Sequence, residues 1–347
     1  MIVFVATTEH QYTVRDVLET RDHALHGRLV ILSHEELLSS PRLPRATYVL
    51  ADLERLDEGG RARLIRRVEA LRRACPGCEV LNLPARIGNR LDIMRRLHEA
   101  GVNDFRMLPL DTPAEAFRYP VFLRRLDDHE GPKSDLLDSA QALRDAIAAL
   151  DPAEREGFAV TEYIDARNDL GLHEKRSYTR VGDRLFPAAL DQSRAWVCKG
   201  EHSDPNGVPA AERELAFLKG NEDREALRAA FDAAGIQYGR ADYAVVGGKP
   251  QIFEINTNPY VDAPERVPAR ARAAAEQIAG AWLAALEALA DGAEGARGDW
   301  VEVGGVTGGR AGRGFSRRNL ARSALRSMRQ LHNETTAMRW LRRFRLI

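Results

Sequence analysis

The residues best suited to chemistry lie in one segment, Arg240-Ala-Asp242-Tyr-Ala-Val-Val-Gly-Gly-Lys-Pro-Gln-Ile-Phe-Glu254-Ile-Asn256-Thr-Asn-Pro259. Two largely apolar runs flank Gly-Gly-Lys-Pro, which reads as a hairpin turn. Glu254 and Asn256 are two apart and share a strand face, while Phe253 and Ile255 take the other. The place of Asp242 depends on the length of the turn. A three-residue loop, Gly247–Lys249, sets Val246 opposite Pro250, Asp242 opposite Glu254 and Arg240 opposite Asn256. A two-residue Gly-Gly loop moves Asp242 to the wrong face. In the first register two carboxylates and an amide oxygen converge, hard ligands that suit Mg²⁺ shared with the phosphates of a nucleotide. The bland alternative is a solvated hairpin face; against it, Glu254 and Asn256 interrupt an otherwise apolar strand.

The elements that must position this hairpin follow from the hydrophobic pattern. Ile2–Ala6, Arg28–Leu32, Thr47–Ala51 and Glu79–Leu83 read as strands, with helices over Tyr12–Glu19 and Gly60–Ala74 between them. That rhythm predicts a parallel, βαβ-type sheet. Arg90–Ala100 follows as an amphipathic helix. A small α+β unit comes next: strand Tyr119–Arg125, polar loop Asp127–Ser134, helix Leu136–Leu150 and strand Phe158–Ile164. A larger antiparallel region contains strands Arg176–Val181, Leu185–Ala189, Arg240–Val246 and Gln251–Ile255, with helices Glu222–Ala234 and Ala263–Ala290. The expected fold class is α/β. Its parts are an N-terminal α/β domain over 1–88, a connecting helix and small subdomain over 89–164, and a large subdomain over 165–290. A Gly/Ala/Arg-rich linker over 291–315 and a basic amphipathic helical tail over 316–347 complete the chain.

Between Arg90 and Pro259 the chain resembles the ATP-grasp superfamily, of the carboxylate–amine or carboxylate–thiol ligase type with a glutathione synthetase- and RimK-like ATP-binding fold. Phe-Glu-Ile-Asn-Thr-Asn-Pro looks like the family's metal-binding strand, so the resemblance implies that Asp242, Glu254 and Asn256 hold Mg²⁺ (or Mn²⁺). Arg240 matches a family arginine that steadies the acyl-phosphate and the tetrahedral intermediate, fixed positive charge aimed where negative charge develops. Tyr119-Pro-Val-Phe-Leu-Arg124 and Asn89-Arg90-Leu91 resemble the strand and helix start that carry phosphate-contacting residues. Both positions are arginine here where the family commonly has lysine, which keeps the charge and adds bidentate reach. The loop Asp127-Asp-His129-Glu-Gly-Pro-Lys-Ser134 stands in the place of the family's glycine-rich lid; the resemblance makes His129, Lys133 and Ser134 its candidate phosphate donors, and it has one Gly where several are usual. Glu162, Tyr163 and Ile164 resemble the hinge whose backbone takes adenine, with Asp165 and Asp169 as alternatives for the ribose. Arg176 resembles a basic residue near the phosphates or the acyl substrate, and Arg180 shares its strand face. The resemblance implies two ATP-clamping subdomains and an enzyme that activates a carboxylate as an acyl-phosphate and joins it to an amine or thiol. A small-molecule kinase on the same fold, and a non-catalytic ATP-binding module acting through the basic tail, are the alternatives.

The remaining composition sets bounds. The chain has 347 residues with 51 Lys+Arg and 51 Asp+Glu, so its net charge is zero. Eleven arginines and one acid from Arg310 onward give that end +10 and the rest −10. The tail therefore has its own acidic body as a candidate partner. We rank self-docking level with a solvated extension and ahead of a membrane surface or nucleic acid. Carboxylate and amine substrates, small molecules or peptides, are the expected partners, and a homodimer stays open. Three cysteines do not make a disulfide framework and point to a reducing, cytoplasmic setting; Cys75-Pro-Gly-Cys78 reads as a helix-ending turn. The N-terminus reads as a first strand rather than a signal peptide. The sequence has no G-x-S-x-G, H-E-x-x-H or G-x-x-x-x-G-K-[ST] motif, which leaves no competing catalytic apparatus.

Overall fold

The computed structural model describes residues 1–128, 131–198, 210–293 and 299–304. His129 and the basic tail over 316–347 lie outside the described residues.

The chain begins with β1 (Ile2–Ala6), α1 (Tyr12–Thr20), β2 (Leu29–Ser33), α2 (His34–Ser39), β3 (Arg42–Pro44), β4 (Thr47–Leu50), α3 (Glu58–Ala74) and β5 (Val80–Leu81). Four of these strands form a parallel sheet in the order β2-β1-β4-β5. The unbroken apolar run of β1 is explained by cover on both faces. Val3 and Val5 pack with Leu37, Leu64 and Val68 on one side, and Ile2 and Phe4 pack with Val14, Val17 and Trp282 on the other. The second set includes residues near the far end of the chain, so a C-terminal helix closes this sheet.

Two short helices follow, α4 (Pro84–Ile87) and α5 (Arg90–Glu99). Asn89 and Asp92 form a capping box at the start of α5, which fixes Arg90 in its first turn. Strands β6 (Met107–Pro109) and β7 (Val121–Arg125), helix α6 (Ala140–Ala148) and strand β8 (Phe158–Glu162) make the small unit, an antiparallel sheet ordered β6-β8-β7. Next come β9 (His173–Val181), β10 (Arg184–Ser193), α7 (Ala210–Lys219), α8 (Arg224–Ala234), β11 (Tyr238–Val246), β12 (Lys249–Asn256), α9 (Arg272–Gly292) and β13 (Trp300–Glu302). Strands β10-β9-β11-β12 form the larger antiparallel sheet. The architecture is mixed α/β, as the sequence pattern implies.

Three differences from the sequence reading have local causes. The last long helix starts at Arg272 rather than Ala263, because Pro264 and Pro268 cannot continue a helical ladder and the chain makes two 3₁₀ turns there. Within the stretch read as a linker, Trp300–Glu302 is a strand that pairs antiparallel with β3. The fully buried Arg67 guanidinium secures this return, donating to the carbonyls of Leu37, Ser40 and Gly304. Cys75 and Cys78, read as a plain turn, are joined by a disulfide beneath the end of α3. The expected turn is present and brings them together: the Cys78 N–H donates to the Cys75 carbonyl at 3.0 Å, and the two Cα atoms stand 5.3 Å apart. Among the described residues no helix is long and apolar enough to cross a membrane.

Candidate active site

The hairpin β11–β12 reaches the expected pairing by an unexpected route. Val246 faces Lys249, so the turn is the two-residue Gly247-Gly248 loop, with φ of 58° and 79°. Left-handed conformation at both positions is what a tight hairpin needs and what glycine supplies. Continued regularly, that register would set Asp242 opposite Phe253. A β-bulge intervenes between Tyr243 and Asp242: Tyr243 pairs with Ile252, Asp242 with Glu254, and Arg240 with Asn256. The extra residue, Phe253, restores the face that the short turn would have lost. It also lets Phe253 and Glu254, consecutive in sequence, line the same cavity.

That cavity, about 710 Å³, lies between the small unit and the larger sheet. One part of its wall is apolar and aromatic: Phe105, Phe122, Tyr163, Ile164, Trp196 and Phe253. Trp196 stands 5.1 Å from Phe122 and edge-on to Tyr163 at 5.9 Å. The other part is charged, with Arg124, Lys133, Lys175 and Arg240 beside Asp242, Glu254 and Asn256. Such a lining suits a ligand that carries both a planar apolar group and a polyanion.

Charge at the polar side is closely paired. Asp242 accepts the Ser177 hydroxyl at 2.9 Å and has Arg240 Nε at 3.4 Å and Lys175 Nζ at 3.6 Å. Burial opposes the charge on Lys175, but Asp242 and Asp191 together hold its pKa above the ordinary lysine value. Glu254 accepts Arg90 at 3.0 Å and also Arg124, drawing two cations from separate elements to one carboxylate. Burial, and then the Arg124 charge, push Arg90 down to about 10, while Glu254 pulls the other way; Arg90 stays a cation at neutral pH. Arg90 also donates to the carbonyls of Arg125 and Asp128, tying the start of α5 to the end of β7. The buried Arg124 Nε has no hydrogen-bond partner among the described residues. Arg240 donates to the Tyr260 carbonyl at 3.3 Å. A second cavity of about 470 Å³ shares Lys175 and Arg240 with the first and is lined further by Tyr260, Asp262 and Arg266.

No protein-family model and no curated protein matches the chain. Solved structures do resemble it. A RimK domain ATP-grasp protein from Sphaerobacter thermophilus is 17% identical, with 81% of this chain and 98% of that one covered and a TM-score of 0.43. D-alanine–D-alanine ligase from Bacillus anthracis, complexed with ATP, is 15% identical, with 84% and 99% covered and a TM-score of 0.45. Carboxyaminoimidazole ribonucleotide synthase from Aspergillus clavatus, complexed with ATP, is 14% identical, with 80% and 76% covered and a TM-score of 0.44.

The geometry gathers some of the expected residues and not others. Arg124, Glu162, Tyr163, Ile164, Arg240, Asp242, Glu254 and Asn256 line the larger cavity, and Arg90 reaches it through Glu254. The Glu162 side chain, however, is buried and bound by Arg106 and Arg118. Its share of the lining is therefore the strand end it anchors. The Tyr163 N–H is taken by Pro120, while the Ile164 N–H has no partner among the described residues. Arg176 is directed elsewhere: it pairs with Glu174 and Asp223 and lies over Phe217. Arg180 shares that face, as its spacing requires, and pairs with Asp232 of α8. Lys175, one residue earlier, is the cation that β9 gives to both cavities. Asp165 is exposed and held by Arg167, and Asp169 is exposed; neither lines either cavity. Trp196 was not expected, because a single aromatic residue in an irregular stretch carries no periodic signal. Cys198 also lines the cavity, but burial pushes its thiol up to about 11, so it is no ready nucleophile.

Proposed function

We propose that the chain is an ATP-dependent ligase of the ATP-grasp kind, which activates a carboxylate with ATP and joins it to an amine or thiol. One observation carries the reading. Asp242, Glu254 and Asn256 stand on one face of a bulged hairpin, in a cavity that also holds Lys175, Arg124 and Arg240 and ends in an aromatic wall. Adenine fits the wall, with the Ile164 N–H as a donor to its ring. The triphosphate fits the cationic side, where the guanidinium groups of Arg124 and Arg90 supply forked donors.

The donor set also fits a divalent cation. Two carboxylates and an amide offer hard oxygens, and Mg²⁺ usually completes its shell with phosphate oxygens and water. Among the described residues no three His, Cys, Asp or Glu side chains gather, so the amide of Asn256 is needed as the third donor. Bound there, the metal would neutralise charge on the β- and γ-phosphates.

The chain's own residues account for the rest by positioning and charge. The acid substrate occupies the smaller cavity, with its carboxylate directed at Arg240 and Lys175, the residues shared by both cavities. A carboxylate oxygen attacks the γ-phosphorus and ADP leaves, giving an acyl-phosphate. The amine then attacks the acyl carbon, and its proton and inorganic phosphate depart as the amide forms. Arg240 stabilises the oxyanion of this second step, since it lines both cavities and, among the described residues, its guanidinium makes a single hydrogen bond, to the Tyr260 carbonyl. Incubation with ATP, Mg²⁺, hydroxylamine and panels of carboxylates should trap a hydroxamate, read by mass spectrometry. A stable phosphorylated product with no need for an amine would mark a kinase instead, and ATP binding without turnover on any acid would refute the enzyme.

A further inference from the structure

Asn256 is not held by its strand alone. Its side-chain Oδ1 accepts the backbone N–H of Asn258 at 2.7 Å, which sets the plane of the carboxamide. The next two residues are fastened to segments that leave the parallel sheet, the 3₁₀ turn after β4 and helix α1. Thr257 donates its hydroxyl to Glu54 and accepts the Leu53 N–H at 3.1 Å. Asn258 accepts the Thr13 hydroxyl at 2.7 Å and donates its amide to Asp52 Oδ2 at 3.0 Å.

Asp52 is the centre of this network. The same Oδ2 accepts the Thr7 N–H at 3.0 Å and the Thr7 hydroxyl at 2.7 Å. Its side chain is 2% exposed, with His10 Nδ1 at 3.5 Å and Arg55 Nε at 3.4 Å. Burial disfavours its charge, but His10, Arg55 and Thr7 together hold the carboxyl below the usual carboxylate range. Its backbone lies at φ 57°, the left-handed region, which aspartate enters more readily than most residues other than glycine. Asp52 lines neither cavity, so its effect on the site is indirect; its own side chain reaches β12 through Asn258, beside the Leu53 and Glu54 contacts to Thr257.

We infer that Asp52 is a positioning residue for the neighbouring site: through Asn258 it fixes the angle of the Asn256 carboxamide, so the parallel sheet sets the geometry at the cation-binding end of β12. The inference rests on the metal role proposed for Asn256. Partners that orient a metal ligand commonly matter roughly 10- to 100-fold in metal affinity.

The test uses the full chain and two probes: Mn²⁺ binding in the presence of ADP, followed by electron paramagnetic resonance, and ADP binding in EDTA, followed by calorimetry. Asp52→Asn should weaken Mn²⁺ roughly tenfold and leave metal-free ADP binding unchanged. Combined with Asn256→Ala it should cause no loss beyond that of Asn256→Ala alone. A folded Asp52→Asn protein with wild-type Mn²⁺ affinity overturns the inference, as does an equal loss of metal-free ADP binding, which would mean general loosening. Should Asp52→Asn not fold, Thr13→Val, which cuts one bond to Asn258, carries the same test with an expected loss of about threefold, the scale of one ordinary hydrogen bond. A wild-type protein that binds no Mn²⁺ with ADP, or an Asp242→Ala variant that binds it normally, overturns the proposed metal site itself and this inference with it.

Discussion

Replacing Glu162 with Gln should destabilise the protein at neutral pH, and the loss should fade in acid. Each carboxylate oxygen of Glu162 accepts three donors: Oε1 takes two from Arg106 and the Arg118 N–H, and Oε2 takes the Arg106 N–H and two from Arg118. Whichever way the amide turns, an NH₂ would face three donors. Burial alone would raise the Glu162 pKa, but these hydrogen bonds outweigh it and bring it from 4.5 down to about 2. At about 1.4 kcal/mol per tenfold change in proton affinity, that drop corresponds to about 3 kcal/mol. The Arg118 and Arg106 side chains are 61% and 29% exposed, so water screens part of the attraction, and ~2 kcal/mol is the expected share. Because the folded pKa is depressed, this stability is present above the unfolded carboxylate value and is lost as pH falls from there toward about 2. Urea titrations of both proteins at about pH 7 and about pH 3 should show the gap and its shrinkage. Equal stability at neutral pH, or a gap that stays constant in acid, would refute the reasoning. The glutamate would then not be the anchor beneath Tyr163 and Ile164.

Two further outcomes follow from the placement of side chains. Lys175→Met should weaken nucleotide binding or turnover roughly 10- to 100-fold, the range for a lost hydrogen bond to a charged group. Arg176→Met should leave nucleotide affinity within about twofold, since Asp223 and Phe217, neither of which lines the cavity, hold its guanidinium; equal effects of the two would refute the assignment. Gly248→Ala should cost about 1–2 kcal/mol in chemical denaturation. The added methyl meets nothing within 4 Å at φ 79°, so the cost is conformational, and a neutral variant would refute that.

Much of this arrangement is legible in the sequence, for identifiable reasons. The rhythm of short apolar runs and helices announces the parallel sheet, because strands buried on both faces must be apolar throughout. The shared face of Glu254 and Asn256 follows from a period of two. Asp242 shows where such reasoning stops. Parity requires an odd loop, yet the chain makes the two-residue turn that Gly-Gly favours and recovers the register through Phe253. A bulge adds one residue without a compositional mark, so pattern alone does not reveal it. Arg176 shows a second limit. Period two groups Arg176 with Arg180 correctly, but it does not say which side of β9 faces the cavity and which faces α8. That depends on Asp223 and Asp232, which lie tens of residues away. The strand Trp300–Glu302 is too short to stand out in a Gly- and Ala-rich stretch, and only its pairing with β3 defines it.

That late strand has a mechanical consequence. The backbone leaves the parallel sheet after β5 and comes back to its vicinity at β13, so the sheet is joined to the other elements at two places along the chain. A body tethered once can be peeled away from one end, whereas a body tethered twice must give way at both ends together. The two sheets also share apolar packing, with Ile2 and Phe4 in one cluster with Val181 and Tyr238, so the second joint acts as a clasp on that packing. The buried Arg67 guanidinium, gripping the Leu37, Ser40 and Gly304 carbonyls, is the rivet of the clasp.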